Sequence, residues 1–266
     1  DSLKSIIDES SDSAQVNLLN KISMAYFKLD RNEEASNYAK NALELANELE
    51  YEDGKIIAYN NLARIYLSLR NVSEALDFAN KAIILSNKIG DKKLQANALR
   101  SYGNASLYLG EKDTAIVKLK QALEIYNQLD DSLSVGIIFS DLGEAYTYLN
   151  DSPKMIATYL HALQIFEKLG NQERIAITHL NLGSVYSNLL SEYQKAIKHA
   201  DAALEIYENL GDDIRKTYCY LIIGSAHEYL GNLDLALEQY NKSLEICMRT
   251  NNQYLLANTE NYIGEV

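Results

Sequence analysis

Proline is almost absent from this 266-residue chain: Pro153 stands alone. Cysteine is nearly as scarce, with only Cys219 and Cys247, and tryptophan is missing altogether. Two thiols are too few for a disulfide framework, and no metal-type spacing exists. Two buried free thiols are the expectation, against a single bridge between antiparallel helices of one repeat. No apolar run approaches the roughly 18 residues that a membrane span needs, and no signal-peptide pattern opens the chain. Basic residues are outnumbered, 25 against 37 acidic, for a net charge of −12. That balance repels phosphate backbones and argues against a nucleic-acid partner, while suiting basic or neutral peptides. Gly-x-Gly-x-x-Gly and Gly-Lys-Ser/Thr runs are missing, so no nucleotide fold is supported. His161, His179, His199 and His227 stand without a His-x-x-x-His pair, and the carboxylates scatter over solvated faces. No catalytic group, metal or cofactor is read from that pattern, and an enzyme is not expected.

What is present is repetition. Ala42-Leu-Glu-Leu45 recurs as Ala82-Ile-Ile-Leu85, Ala122-Leu-Glu-Ile125, Ala162-Leu-Gln-Ile165, Ala203-Leu-Glu-Ile206 and Ser243-Leu-Glu-Ile246. The spacings are 40, 40, 40, 41 and 40 residues. Self-similarity at a fixed period of this size signals a linear stack in which each unit contacts its neighbours. The hydrophobic fraction of 47% is ordinary for a folded chain.

Within one unit the periodicity is helical twice over. Tyr59, Leu62, Ala63, Tyr66 and Leu69 give a first amphipathic helix; Ala75, Phe78, Ala82, Ile83 and Leu85 give a second. A small residue follows a large apolar one in each first helix, as in Ile22-Ser23, Leu62-Ala63, Tyr102-Gly103, Leu142-Gly143, Leu182-Gly183, Ile223-Gly224 and Ile263-Gly264. Glycine inside a helix costs about 1 kcal/mol relative to alanine. Its recurrence in register therefore implies that the second helix lies against that backbone. Three residues on comes a ring at Tyr26, Tyr66, Tyr146 and Tyr186, replaced by Ser106 and by His227, which is expected in the core. Twelve on sits Ala35, Ala75, Ala115 or Ala236, with Met155 in the fourth unit and Ala196 thirteen on in the fifth. One residue inserted in the Leu189–Tyr193 turn accounts for the spacing of 41. Asn32, Asn71, Asp151 and Asn232 are placed to cap second helices, and Pro153 falls where a missing N–H is harmless.

This layout resembles the tetratricopeptide repeat over roughly residues 17–266. The period of 40 exceeds the usual 34, and the Trp and Pro of the usual motif are absent. Units of this length are similar to those of kinesin light chains and of Rap-type peptide-sensing bacterial regulators. HEAT and armadillo arrays share the period, but neither a prolyl kink nor a third helix appears. The resemblance implies an all-α fold: a right-handed α-solenoid of about six helix hairpins plus a truncated seventh first helix. A single superhelical domain over 1–266 is expected, with units at about 17–50, 54–90, 94–130, 134–170, 174–211 and 215–251 and a partial unit at 254–266. The start at Asp1 and the stop inside a repeat are those expected of a segment of a longer protein. The opening Asp1–Ile7 and Val16–Asn20 stretches also resemble the sensor regions of certain bacterial histidine kinases and helix-turn-helix regulators. That likeness leaves both cytoplasm and periplasm open.

In this family the first helices line the concave face. By the resemblance, the peptide-binding groove would include Asn20, Asn60, Asn61, Arg64, Asn97, Asn104, Tyr108, Asp141, Glu144, Tyr148, Asn181 and Tyr229. A side-chain amide donates and accepts at once, and an asparagine ladder of the kinesin-light-chain kind would grip an extended backbone. The same asparagines also fit a plain compositional bias. Tyr108, Tyr148 and Tyr229 with Asp141, Glu144 and Glu228 suit a peptide carrying Lys or Arg, as they also suit simple ring packing. The function expected is peptide or protein binding, with no nucleic acid or membrane contact by this region. The alternative is the ligand-sensing part of a bacterial signal-transduction protein, a histidine kinase or a transcription regulator.

Overall fold

The computed structural model describes residues 12–266. The opening Asp1–Ile7 segment lies outside the described residues. Among the described residues every regular element is an α-helix, and there are thirteen of them. By internal contacts the chain forms two compact units, one ending at Leu149 and one beginning at Asn150. Unit 1 holds α1 (Asp12–Lys28), α2 (Asn32–Glu48), α3 (Glu52–Ser68), α4 (Val72–Ile89), α5 (Lys92–Leu109), α6 (Lys112–Gln128) and α7 (Ser132–Tyr148). Unit 2 holds α8 (Ser152–Lys168), α9 (Gln172–Asn188), α10 (Tyr193–Leu210), α11 (Asp213–Tyr229), α12 (Leu233–Thr250) and α13 (Gln253–Glu265). Within each unit consecutive helices pack together, and each odd-numbered helix also touches the next odd-numbered one. That second set of contacts stacks hairpins into an all-α solenoid.

The small residues close the hairpins as their spacing implies. A Cβ on Gly103 would stand 3.0 Å from the Leu119 side chain and 3.1 Å from the Ala115 carbonyl. On Gly183 it would stand 3.4 Å from the Ala196 carbonyl, and on Gly224 only 2.5 Å from the Tyr240 ring. In the first hairpin Ser23 donates instead, through Oγ, to the Ala35 carbonyl at 2.8 Å. Gly264 is the exception and meets nothing within 4 Å. Ala35, Ala75, Ala115, Ala196 and Ala236 are all fully buried, as is Met155. So are Ala42, Ala82, Ala122, Ala162, Ala203 and Ser243, the markers of the repeat. Cys219 and Cys247 are buried free thiols, and burial pushes Cys219 up to about 12.

Each of the twelve turns between described helices holds one residue in the left-handed region. These fall twenty apart from Asp30 to Gly170, then from Ser191 to Asn251 after the extra residue of the α9–α10 turn. Caps are distributed otherwise than the sequence suggested. Asp151 does cap α8 through Lys154 N–H at 3.3 Å. Asn71 and Asn232 occupy cap positions without a side-chain bond, and Asn32 lies one residue inside α2 with Arg31 at the cap. Side-chain caps serve mainly the first helices, through Asp91, Asp131, Asn171, Asp212 and Asn252.

Candidate functional site

The odd-numbered helices of each unit present one face to one another, and that face carries the cavities. In unit 1, α1 and α3 enclose about 600 Å³ beside Asn17, Asn20, Lys21, Met24, Lys28 and Asn61. Next to it, α3 and α5 enclose about 160 Å³ beside Asn60, Asn61, Arg64, Asn97, Arg100 and Ser101. A third cavity of about 320 Å³ shares Arg64, Arg100 and Ser101 and adds Phe27, Arg70, Asn104 and Tyr108. In unit 2, α9, α11 and α13 line about 600 Å³ with Asn181, Ser184, Tyr218, Ser225, Asn258 and Tyr262 among the wall residues.

Several of the expected groove asparagines are tied into the wall itself. Asn61 Nδ2 donates to the Asn20 carbonyl at 3.2 Å and to Asn20 Oδ1 at 3.1 Å. Asn20 Nδ2 donates in turn to the Gly54 carbonyl at 3.3 Å. These two amides join α1 to α3, so their first role is to hold neighbouring hairpins in register. Asn97 Oδ1 accepts from the Tyr126 hydroxyl at 2.7 Å, which locks α5 to α6. Asn60 is different: only 7% exposed, it keeps Oδ1 buried and without a partner. Asn104 donates Nδ2 to Asp141 at 3.3 Å, and its Oδ1 too is unpartnered. Asn181 lines the unit 2 cavity, half-buried.

Charge is arranged differently from the expectation of free carboxylates. Arg100 forks onto Asp141, with Nε on Oδ2 and Nη2 on Oδ1 at 3.2 Å. Burial opposes the Arg100 charge, but Asp141 more than offsets it and holds the guanidinium above its ordinary value. Asp141 thus answers Arg100 and Asn104 and lines none of the four cavities. Glu144 is pushed above the usual carboxylate range by desolvation and by Asp141, against the pull of Arg100. Glu228 accepts from the Tyr240 hydroxyl at 2.8 Å. The idea of a basic ligand therefore loses two of its three acids to internal partners. Arg64 lies over the Phe27 ring at 5.3 Å and Arg70 over Tyr108 at 5.2 Å. Tyr148 is exposed at the end of α7, and its carbonyl accepts from Lys112. Tyr229 stacks on Tyr193 with ring centroids 5.1 Å apart. Neither ring lines these cavities.

One pair escaped the sequence reading. His179 of α9 and His199 of α10 meet with their Nδ1 atoms 2.9 Å apart, and His199 also stacks on Tyr186. Burial lowers both, His199 to about 4, with His179, Lys198 and Lys195 adding to the effect. The signal was available, because Phe78 touches Tyr59 and Tyr66 in the equivalent positions of α3 and α4. Among the described residues no group of three or more His, Cys, Asp or Glu could hold a metal ion. No helix there is long and apolar enough to cross a membrane.

Comparison with known proteins agrees with this geometry. No curated protein sequence matches the chain. Among solved structures, a Rap protein complexed with competence and sporulation factor superposes with TM-score 0.75 at 17% identity, covering 99% of this chain and 78% of that one. BtubC from P. vanneervenii gives TM-score 0.71 at 19% identity over 83% of this chain and 92% of that one. The apo quorum sensor NprR from B. thuringiensis gives 0.66 at 14% identity over 97% and 72%. At such identities these likenesses speak for the fold. The tetratricopeptide repeat model matches residues 14–88, 134–209 and 174–249, most of the chain. With hairpin geometry, buried alanine register and sequence match in agreement, the chain belongs to the tetratricopeptide repeat family.

Proposed function

We propose that the chain is a peptide- or protein-binding module that uses the faces of its odd-numbered helices. The observation that carries this reading is the lining of the four cavities. All draw their walls from first helices and the turns after them, and none from a second helix. The walls combine amides, hydroxyls and rings with few carboxylates. Amides suit an extended backbone, since each can accept an N–H and donate to a carbonyl.

A second reading is favoured by the comparisons: a ligand-sensing region of a bacterial signal-transduction protein. The Rap structure holds competence and sporulation factor, NprR is described as a quorum sensor, and another neighbour is a signal-transduction ATPase with a tetratricopeptide repeat sensor. Sensing and scaffolding share the binding step and differ in its consequence.

The test uses Asn181→Ala with Asn258→Ala, two half-buried amides of the unit 2 cavity. Binding to an array of acetylated and amidated random peptides should weaken about tenfold, with the melting temperature nearly unchanged. Undiminished binding by the double variant would remove the amide face from the mechanism.

A further inference from the structure

The chain carries a net charge of −12, yet every charged residue lining the three adjoining cavities of unit 1 is a cation. Lys21 and Lys28 border the first, Arg64 and Arg100 the second, and Arg64, Arg70 and Arg100 the third. No carboxylate lines any of them. Asp141 answers Arg100, so along this strip the charge open to a ligand is that of Lys21 and Lys28 on α1 and of Arg70 in the turn after α3. Glu144 lies within electrostatic reach of Arg100 and Tyr108 but lines none of the three.

In an acidic protein such a strip is a local inversion of the field. Low-dielectric walls strengthen it, because a cleft of one sign focuses its potential. Two rings fix its geometry. Arg64 over Phe27 and Arg70 over Tyr108 set guanidinium groups against aromatic rings. A stacked guanidinium directs its N–H groups outward in plane, where a carboxylate can meet two at once.

The strip also contains acceptors. Asn60 and Asn104 each keep an unpartnered Oδ1 at the wall of these cavities. A half-turn of the Asn60 amide about its last bond would offer that oxygen to the cavity, whereas the Asn104 amide is held by its Nδ2 bond to Asp141. The Asn60 oxygen would then need a hydrogen-bond donor from the ligand. A deoxyribose-phosphate backbone has no such donor, whereas an extended peptide supplies one at every residue but proline.

We infer that the first-helix face of unit 1 binds an acidic peptide segment in extended form. Its Asp or Glu side chains would lie against Lys21, Lys28 and Arg70, and a backbone N–H on Asn60. This rests on the peptide-binding reading above and adds the sign of the ligand.

The test is the full chain on an array of random short peptides, acetylated and amidated so that no terminal carboxylate contributes. Retained peptides should be enriched in Asp and Glu, and their binding should weaken as salt is raised. The variant Lys21→Gln, Lys28→Gln, Arg70→Gln changes three exposed side chains. It should lose the acidic preference, binding the selected peptides about tenfold more weakly while still retaining neutral ones. A preference of the unaltered chain for neutral or basic peptides would overturn the acidic assignment and leave peptide binding standing. So would a single-stranded oligonucleotide that displaces the acidic peptides more effectively than the same peptides added free in solution. Failure to retain any peptide would overturn both.

Discussion

In unit 1 the α3–α4 hairpin is closed by Phe78, stacked between Tyr59 at 6.0 Å and Tyr66 at 5.5 Å. In unit 2 the α9–α10 hairpin puts His199 in that place, against His179 at 5.1 Å and Tyr186 at 5.4 Å. The backbone solution is the same; the chemistry is not. One closure is indifferent to pH and the other depends on two imidazoles remaining neutral. The cavities diverge in a similar way. Those of unit 1 are lined by cations, whereas that of unit 2 has amides, hydroxyls, tyrosines and the single carboxylate Glu265. A repeat fixes where side chains meet and leaves open what they are.

The largest effect should come from the glycine seats. In unit 1 Leu119 fills the space over Gly103, and in unit 2 the fully buried Tyr240 fills that over Gly224 while stacking on Tyr262 at 5.3 Å. Tyr240→Ala should cost about 3–5 kcal/mol and Leu119→Ala about 2–5 kcal/mol, each leaving a void that the rigid hairpin cannot collapse. Urea unfolding monitored by circular dichroism measures both. If Tyr240→Ala costs less than about 1 kcal/mol, far below the usual loss for a buried ring, ring packing on a glycine backbone is not what holds that hairpin.

How much of this could be read beforehand depends on what repeats. The large-small pair, the alanine twelve on and the alanine nineteen on recur in phase, so hairpin pairing and the buried seam are legible in the sequence. Partnerships that vary from unit to unit are not. Nothing local to Asn61 says that its amide will bond Asn20, 41 positions earlier, instead of facing solvent. Asp141 reads as a free acid until Arg100, also 41 positions away, is seen to meet it across adjacent first helices. The caps misled for a smaller reason. Asn32 stands one position past the cap, too far into α2 to reach back to the free N–H groups. The His179–His199 contact was legible by analogy with Tyr59 and Phe78, once the inserted residue of the α9–α10 turn is allowed for.

The histidine closure makes the comparison reversible. His199 is held down to about 4, first by burial and then by His179, Lys198 and Lys195, against an ordinary value of 6.5. A depressed histidine is neutral in the folded state, so the unfolded chain binds the proton first. Its contribution is present above about pH 6.5 and is lost as pH falls toward 4. For half-buried rings the loss is about 1–2 kcal/mol after allowance for solvent. His199→Phe puts the phenyl ring of unit 1 in that place and leaves His179 and Tyr186 against it. Thermal melts of that variant should lose much of the stability difference between about pH 7 and about pH 5 that the unaltered chain shows. An unchanged slope would mean that the acid sensitivity of unit 2 lies elsewhere.

The smallest effect concerns the turns, where the two units again differ. In unit 1 the left-handed residues are Asp30, Glu50, Arg70, Gly90, Gly110 and Asp130; in unit 2 they are Asn150, Gly170, Ser191, Gly211, Gly231 and Asn251. Glycine takes this conformation freely and asparagine tolerates it, whereas Glu50 at φ 52° is held there against its preference. Glu50→Gly should therefore stabilise the chain by about 0.5–1 kcal/mol, the relief of strain exceeding the added freedom of the unfolded state. Gly211→Ala, at φ 68°, should destabilise it by about 1 kcal/mol although nothing lies within 4 Å of the new methyl. Each change corresponds to about 1–4 °C in melting temperature for a chain of this size. Opposite signs at the two sites would show that backbone conformation alone sets the cost of these turns. A destabilising Glu50→Gly would instead mean that the Glu50 side chain makes a contribution larger than its strain.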